Sequence, residues 1–380
     1  MKLAIVSETF PPEVNGVAMT FGVIARELGR RGHDVRVYRP DREDLPPPEA
    51  ELLFREVPLP GVRIPGYPLL RLGWPAWRKL RAAWAEDRPD LVHVVTEGPL
   101  GASAVTTARR MRIPVTSSFH TNFHAYTSNY GFAVLHRMVL GWLRRVHNRS
   151  CRTFAPTDEL CRELRAMGFN DMALLSRGID TGCFSPAKRS ESLRAEWGLE
   201  PGDRVVLHVG RMAPEKNYDL LFKIYAAMQK ADSRLKFVLA GDGPLREQLI
   251  SQHPNCIFAG FFSREEIGRY YASADIYVHA SLTETFGNVL TEAMASGLAA
   301  ASFDYAAGRQ FIRHGLNGLL ASCDDPLALQ RESVRLVEND RLRVQLGKQA
   351  REGFEDQSWE KVIGRFENDL LTEAGIGGVF

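Results

Sequence analysis

The sequence predicts an α/β protein made of two doubly wound parallel sheets, and three observations predict it. A pattern of apolar strand, polar loop, helical run and second strand occurs twice, once from residue 2 and again from residue 203. Further short apolar runs alternate with helical periodicity in both halves. Between the halves lies SRGIDTGCFSPAK (176–188), rich in Gly, Ser and Pro, which reads as a boundary. The domains are therefore expected at 1–180 and 181–356, followed by a C-terminal helical segment at 357–380.

Taken in order, KLAIVSETF (2–10) is a strand ending in polar residues. Pro11, Pro12 and Asn15-Gly16 form the loop after it, and a helical pattern runs to Leu28 before Gly32. The strands DVRVYRP (34–40), LVHVVT (91–96), IPVTSSFH (113–120) and TFAPT (153–157) complete the first half. The second half begins with DRVVLHVGRM (203–212), and a helix is expected over 214–228. KFVLAGDG (236–243), CIFAGF (256–261), IYVHAS (276–281) and LAAASF (298–303) are its further strands. SWEKVIGRFENDLLTEA (358–374) reads as a long amphipathic helix.

Composition narrows the function. With 44% hydrophobic and 25% charged residues this is an ordinary globular chain, and no apolar run reaches the roughly 20 residues of a membrane span. The N-terminus has no signal-peptide pattern. Five scattered cysteines form no CxxC pair and no zinc spacing, which suits free thiols in a reducing cytoplasm. Net charge is +2, unevenly spread: residues 98–157 hold eight arginines and no acid. Such a field favours anionic partners. No recognition motif accompanies it, so nucleic acid is not expected.

In open parallel sheets ligands sit beyond the carboxyl ends of strands. Polar loops occupy such ends at 7–16, 120–122, 210–217, 241–244 and 281–287, and they would line one cleft if the domains face each other. In SLTETFGNVLTEAMASGL (281–298) a polar loop enters a helix, with Glu284 on the loop and Glu292 two turns in. Free N–H groups near Gly287 and Asn288 would cradle an anion, and the two glutamates would accept hydroxyls. A capped helix start with an exposed glutamate fits the same run. In VGRMAPEKN (209–217), Arg211 and Lys216 suit a diphosphate leaving group, or else pair with Glu215 on a solvated loop. AGDGP (240–244), with Gly241, allows close approach of backbone to a ligand. His120, four residues before His124, is either a functional strand-end residue or a core or capping histidine. There is no GxGxxG after either first strand, no P-loop and no metal-ligand cluster, so neither a nicotinamide cofactor nor a metal is expected. Segments 68–84 and 130–152 interleave Leu and Trp with Arg and Lys. They read either as amphipathic helices for an anionic membrane or as helices packed on the sheets.

Together these elements resemble the retaining, nucleotide-sugar-dependent glycosyltransferases of family four, which have the two-Rossmann GT-B fold. The resemblance rests on ETFPPEVNGV (8–17), SFHT (118–121), the GID…FSP junction (178–186), HVGRMAPEKN (208–217), LAGDGP (239–244), ETFGNVLTE (284–292) and LNG (316–318). It implies that Arg211 and Lys216 hold the donor diphosphate and that Gly16 closes over the donor phosphates. It further implies that Glu284 meets the transferred sugar, Glu292 the ribose, and His120 the reacting sugar and acceptor. Gly241, Gly287, Asn288 and Val289 complete the implied donor site. The first domain would bind the acceptor, the second the nucleotide sugar, and the last helix would cross back to the first. The implied reaction is front-face, retaining and metal-free, with a donor phosphate oxygen taking the acceptor proton.

Within the family, the 8–17 and 118–126 segments look most like bacterial diacylglycerol and sulfolipid-type enzymes. The expected function is hexose transfer, from a UDP-sugar, to a lipid hydroxyl such as diacylglycerol at the inner face of the cytoplasmic membrane. A transferase with a soluble or polysaccharide-precursor acceptor, a GT-B-fold sugar-nucleotide epimerase and a non-catalytic binder are the alternatives. One departure stands out. Many members carry Gly-Gly-x-x-Glu after the strand that is LAAASF here, whereas this chain reads DYAAGRQ (304–310), with Gln310 in place of the Glu.

Overall fold

A computed structural model describes residues 1–13, 15–41, 53–64, 67–120, 133–282, 284 and 286–376. The chain divides into two compact units, Met1–Arg177 with Glu360–Phe380, and Gly178–Trp359.

The first unit carries a seven-stranded parallel sheet, its strands being β1 (Lys2–Val6), β2 (Asp34–Pro40), β3 (Arg55–Leu59), β6 (Leu91–Val94), β7 (Val115–Ser118), β8 (Arg152–Ala155) and β9 (Met172–Leu174). Its order is β3-β2-β1-β6-β7-β8-β9. A separate antiparallel pair joins β4 (Gly61–Ile64) to β5 (Tyr67–Gly73). The helices are α1 (Gly16–Arg30), α2 (Trp77–Glu86), α3 (Pro99–Arg110), α4 (Ala133–His147) and α5 (Asp158–Ala166). Residues 67–73 thus form a strand, whereas the whole of 68–84 reads in sequence as one amphipathic segment. Pro68 and Pro75 cannot sit inside a helix without losing backbone bonds, and only 77–86 is helical.

The second unit has a six-stranded parallel sheet of β10 (Val205–Val209), β11 (Lys236–Ala240), β12 (Ile257–Gly260), β13 (Ile276–His279), β14 (Ala299–Phe303) and β15 (Leu319–Ala321). The order is β12-β11-β10-β13-β14-β15. Its helices are α6 (Glu191–Glu196), α7 (Tyr218–Ala231), α8 (Arg246–Gln252), α9 (Arg264–Ser273), α10 (Asn288–Ala295), α11 (Ala307–Phe311), α12 (Pro326–Glu338) and α13 (Asp340–Glu352).

These strands are apolar on both faces because helices cover both faces. Val206, Leu239, Ile276, Val278 and Ala301 join one core, and Val205, Leu207, Val238, Tyr277 and Ala300 the other. The last helix, Trp359–Glu373, buries Val362, Ile363, Phe366 and Leu370. In the first unit Phe366 packs edge-on to His93 and Phe154, and Glu367 holds Arg31 and His33 at 2.7 and 2.6 Å.

In each sheet the winding reverses once, between β1 and β6 and between β10 and β13. These switch points are where loops diverge and leave a crevice at the carboxyl edge.

Candidate active site

At the switch point of the second unit, the loop after β10 meets the loop after β13. A helix from 214 is expected from sequence, but Pro214–Lys216 is a short 3-10 turn, and Asn217 breaks it with φ 57° before α7 starts. Asn217 Nδ2 donates to the Ala280 carbonyl at 3.3 Å, and Ser281 Oγ donates to the Glu215 carbonyl at 3.3 Å. The two loops are thereby tied together. Lys216 Nζ reaches Glu284 Oε1 at 2.5 Å, with both side chains 17% exposed.

Burial pushes the Glu284 carboxyl up, but His279, Lys216 and Ser281 outweigh it and hold the group below its ordinary value. His279 is itself taken down to about 4 by burial, and His208 beneath the pair to about 3. Both imidazoles are uncharged at neutral pH, so Lys216 is the full positive charge beside Glu284. Arg211 stands differently: its side chain is 68% exposed and donates to Glu215 Oε1 at 2.6 Å. Each cation thus holds a carboxylate.

Gly287 takes φ +98° and opens α10; a Cβ there would lie 3.3 Å from the Ala307 Cβ and 3.8 Å from His279 Nε2. Asn288 and Val289 open the first turn of α10, and the Leu290 N–H donates to the Gly287 carbonyl at 3.1 Å. Glu292, one turn into α10 rather than the two expected from sequence, accepts from the hydroxyl of fully buried Tyr271 at 3.1 Å. Gly241 has φ +143°, and a Cβ on it would fall 1.9 Å from the Gly210 carbonyl oxygen. Its glycine is therefore required by the close packing of the loops after β10 and β11, whatever else it contacts.

In the first unit Gly16 is the first residue of α1, capped by Asn15 Oδ1, which accepts from Val17 and Ala18 N–H. A Cβ on Gly16 would lie 2.6 Å from Arg177 Nη1. His120 follows β7 and packs edge-on against Phe21, with ring centroids 5.7 Å apart. Neither of its ring nitrogens has a hydrogen-bond partner among the described residues. Burial, then the Arg177 charge, take His120 down to about 3, so it is a neutral imidazole. His124 lies outside the described residues.

Two residues here were not singled out by sequence. Arg177 stands in the junction segment with nothing local to mark it. Glu8, at the end of β1, lies across the switch point and accepts from the Leu100 N–H of α3 at 2.9 Å. Burial pushes its carboxyl up to about 7 against the Leu100 and Gly101 N–H bonds. An acid closing a buried apolar strand is the signal that would have found it. Among the described residues, no cluster of three or more His, Cys, Asp or Glu side chains is placed to hold a metal ion.

Two family models match, "Glycosyltransferase Family 4" over residues 14–182 and "Glycosyl transferases group 1" over 189–353. A GDP-mannose-dependent alpha-mannosyltransferase of Corynebacterium glutamicum is 33% identical over 361 residues, covering 95% of this chain and 86% of that one. The chain belongs to glycosyltransferase family 4. An alpha-monoglucosyldiacylglycerol synthase of Streptococcus pneumoniae is 27% identical over 315 residues, 78% of this family 4 chain and 70% of its own. Among solved structures, Anabaena HepE in complex with UDP superposes with a TM-score of 0.78 at 19% identity, covering 98% of this chain and 100% of that one. The fold of this family 4 glycosyltransferase is GT-B.

Proposed function

We propose that the enzyme transfers a hexosyl group from a nucleoside-diphosphate sugar to a lipid hydroxyl, with retention of anomeric configuration and without a metal ion. The observation that carries the reading is the Lys216–Glu284 pair spanning the switch point beside the α10 N-terminus. An ammonium has three donors, so Lys216 can keep Glu284 and still reach a phosphate oxygen. Glu284, held ionised, accepts a sugar hydroxyl. Glu292, oriented by Tyr271, suits the ribose.

The nearby imidazoles of His208 and His279 are buried and neutral, and among the described residues no side chain beside the pair is set up as a strong base. A front-face route fits this: the acceptor hydroxyl attacks on the face from which the diphosphate leaves, and a phosphate oxygen takes its proton. Protein charges then stabilise the leaving group. Arg211, exposed and paired with neighbouring Glu215, swings to the diphosphate in this scheme.

The sequence reading favours a uridine donor. Relatives 32–33% identical over nearly the whole chain are named as GDP-mannose-dependent, and we rank GDP-mannose first. Relatives named as monoglucosyldiacylglycerol synthases support a glycerolipid acceptor. No helix among the described residues is long and apolar enough to cross a membrane, so the proposed association with the inner leaflet is peripheral.

The test is a panel of GDP-mannose, UDP-glucose, UDP-galactose and UDP-glucuronate against diacylglycerol and a membrane lipid extract, with and without EDTA. Products are identified by mass and by anomeric coupling constants. An α-mannosyl lipid formed in EDTA is expected. A β-linked product, loss of activity in EDTA, or transfer only to soluble acceptors overturns the corresponding part.

A further inference from the structure

The first unit exposes large apolar side chains on and beside α2 and α4. Trp77 and Trp142 are about half exposed, at 51% and 49%, and Trp74 and Met138 more so. Clustered exposed apolar residues of this size mark interaction sites. Trp77 at the start of α2 and Trp142 of α4 wall a groove of about 450 Å³ that runs along α3 from Pro99 to Arg110.

Its polar lining is already satisfied. Ser103 Oγ donates to the Leu100 carbonyl at 2.7 Å and accepts from Ala76 N–H at 3.0 Å, and Thr106 Oγ1 donates to the Ala102 carbonyl at 2.9 Å. What the groove offers is an apolar slot between two indoles with one guanidinium at its end. Arg110 forms no ion pair among the described residues. A second depression continues past Trp142, lined by Met138, Arg144, Arg145 and Arg149. Met138, Trp142 and Arg145 follow a 4-3 spacing and form one stripe of α4, which Arg149 follows in the turn after the helix.

We propose that this groove is a binding site for one anionic phospholipid of a bilayer, with an acyl chain between Trp77 and Trp142 and the phosphate on Arg110. The α4 arginines then meet neighbouring headgroups. Charge complementarity selects the occupant, since the whole stretch 98–157 carries eight arginines and no acid. The α3 N-terminus also contacts Glu8, so a bilayer seated here borders the carboxyl edge of the sheet. This inference deepens the lipid-acceptor reading, but lipid binding and transfer are measured separately.

The experiment is flotation of the full chain with phosphatidylcholine vesicles, with and without phosphatidylglycerol, at low and physiological salt. Wild type is compared with Trp77→Ala/Trp142→Ala, Arg110→Gln and Arg144→Gln/Arg145→Gln. Circular dichroism melts check folding, and these exposed positions are expected to leave the melt unchanged. Wild type should float only with the anionic vesicles. The tryptophan pair should lose at least tenfold in vesicle affinity even at low salt, Arg110→Gln several-fold, and the α4 pair chiefly at physiological salt. Activity of all variants on a short-chain diacylglycerol in detergent should match wild type, which separates failure of this site from failure of the acceptor reading. Equal binding to neutral vesicles, wild-type flotation by the tryptophan variant, or binding to RNA or to a second copy in preference to vesicles would each overturn the proposal.

Discussion

Replacing Lys216 with Met tests the site through two independent readouts. In the wild type the ammonium lies 2.5 Å from a carboxylate whose side chain is 17% exposed, and the two imidazoles beneath are neutral. Removing the ammonium takes away two of the influences that hold Glu284 down and leaves burial, the largest influence on that group, opposed by His279 and Ser281. The carboxyl therefore rises from its lowered value. The wild-type pair contributes stability that is present above the unfolded-state carboxyl pKa and is lost as pH falls through the lower folded value. In the variant that contribution shrinks, so less stability is lost as pH falls through the carboxylate range. Breaking a fully buried pair costs about 3–5 kcal/mol, and partial exposure here reduces the expectation to about 1–3 kcal/mol at pH 7. Loss of one charge-stabilising donor should lower kcat by about 10²–10³, and the acid limb of kcat/KM should move to higher pH. Thermal melts from pH 4 to 8 and pH–rate profiles read both. An unmoved acid limb together with wild-type turnover would falsify the assignment of Lys216 and Glu284 to the reacting centre.

Gly16→Ala drives a methyl group into the Arg177 guanidinium, which is the far end of a flexible chain; stability should change by less than about 1 kcal/mol while kcat/KM drops at least tenfold. Arg177→Gln should reproduce the kinetic defect without the steric change, and full activity in both would remove this corner from the site. Glu8→Gln tests a carboxyl raised to about 7: the folded state holds its proton more tightly, so the wild type loses stability as pH rises from about 4.5 to 7, by up to roughly 3 kcal/mol. Urea melts of the variant should lack that loss, and identical pH dependence would show that Glu8 titrates normally. Tyr271→Phe removes the hydroxyl that orients Glu292; KM for the donor should rise about tenfold with kcat little changed, and an unchanged KM would detach Glu292 from donor binding.

The doubly wound architecture was legible because parallel strands covered on both faces are continuous apolar runs, as in VVLHV and AAASF. Lys216 and Glu284 were each visible at a strand end, but their contact was not, since it depends on β10 lying beside β13 rather than on sequence distance. The turn at 214–217 was misread as helix because Asn217 adopts a left-handed conformation that composition alone does not announce. Antiparallel β4 and β5 went unread because a run as short as YPLLRLG satisfies a strand and a helix face almost equally over seven residues. Arg177 and Glu8 acquire meaning only from partners far away in sequence, at Gly16 and Leu100.

The departure at 304–310 gains a physical meaning from its contacts. Ala306 adopts φ 47° and ψ −121°, a region that favours glycine and costs an alanine about 1–3 kcal/mol. Its neighbours bear directly on the Glu284 loop: Tyr305 donates its hydroxyl to the Glu284 carbonyl at 2.9 Å, and Ala307 N–H donates to the Phe286 carbonyl at 2.8 Å. The Ala307 methyl lies within 3.3 Å of where a Gly287 side chain would begin. This segment therefore fixes both the height of the Glu284 loop and the clearance above the α10 N-terminus. An alanine retained in a conformation suited to glycine takes its compensation from that packing. Exchange of residues 306 and 307 acts on whatever Glu284 binds through the backbone, without touching the Lys216 charge.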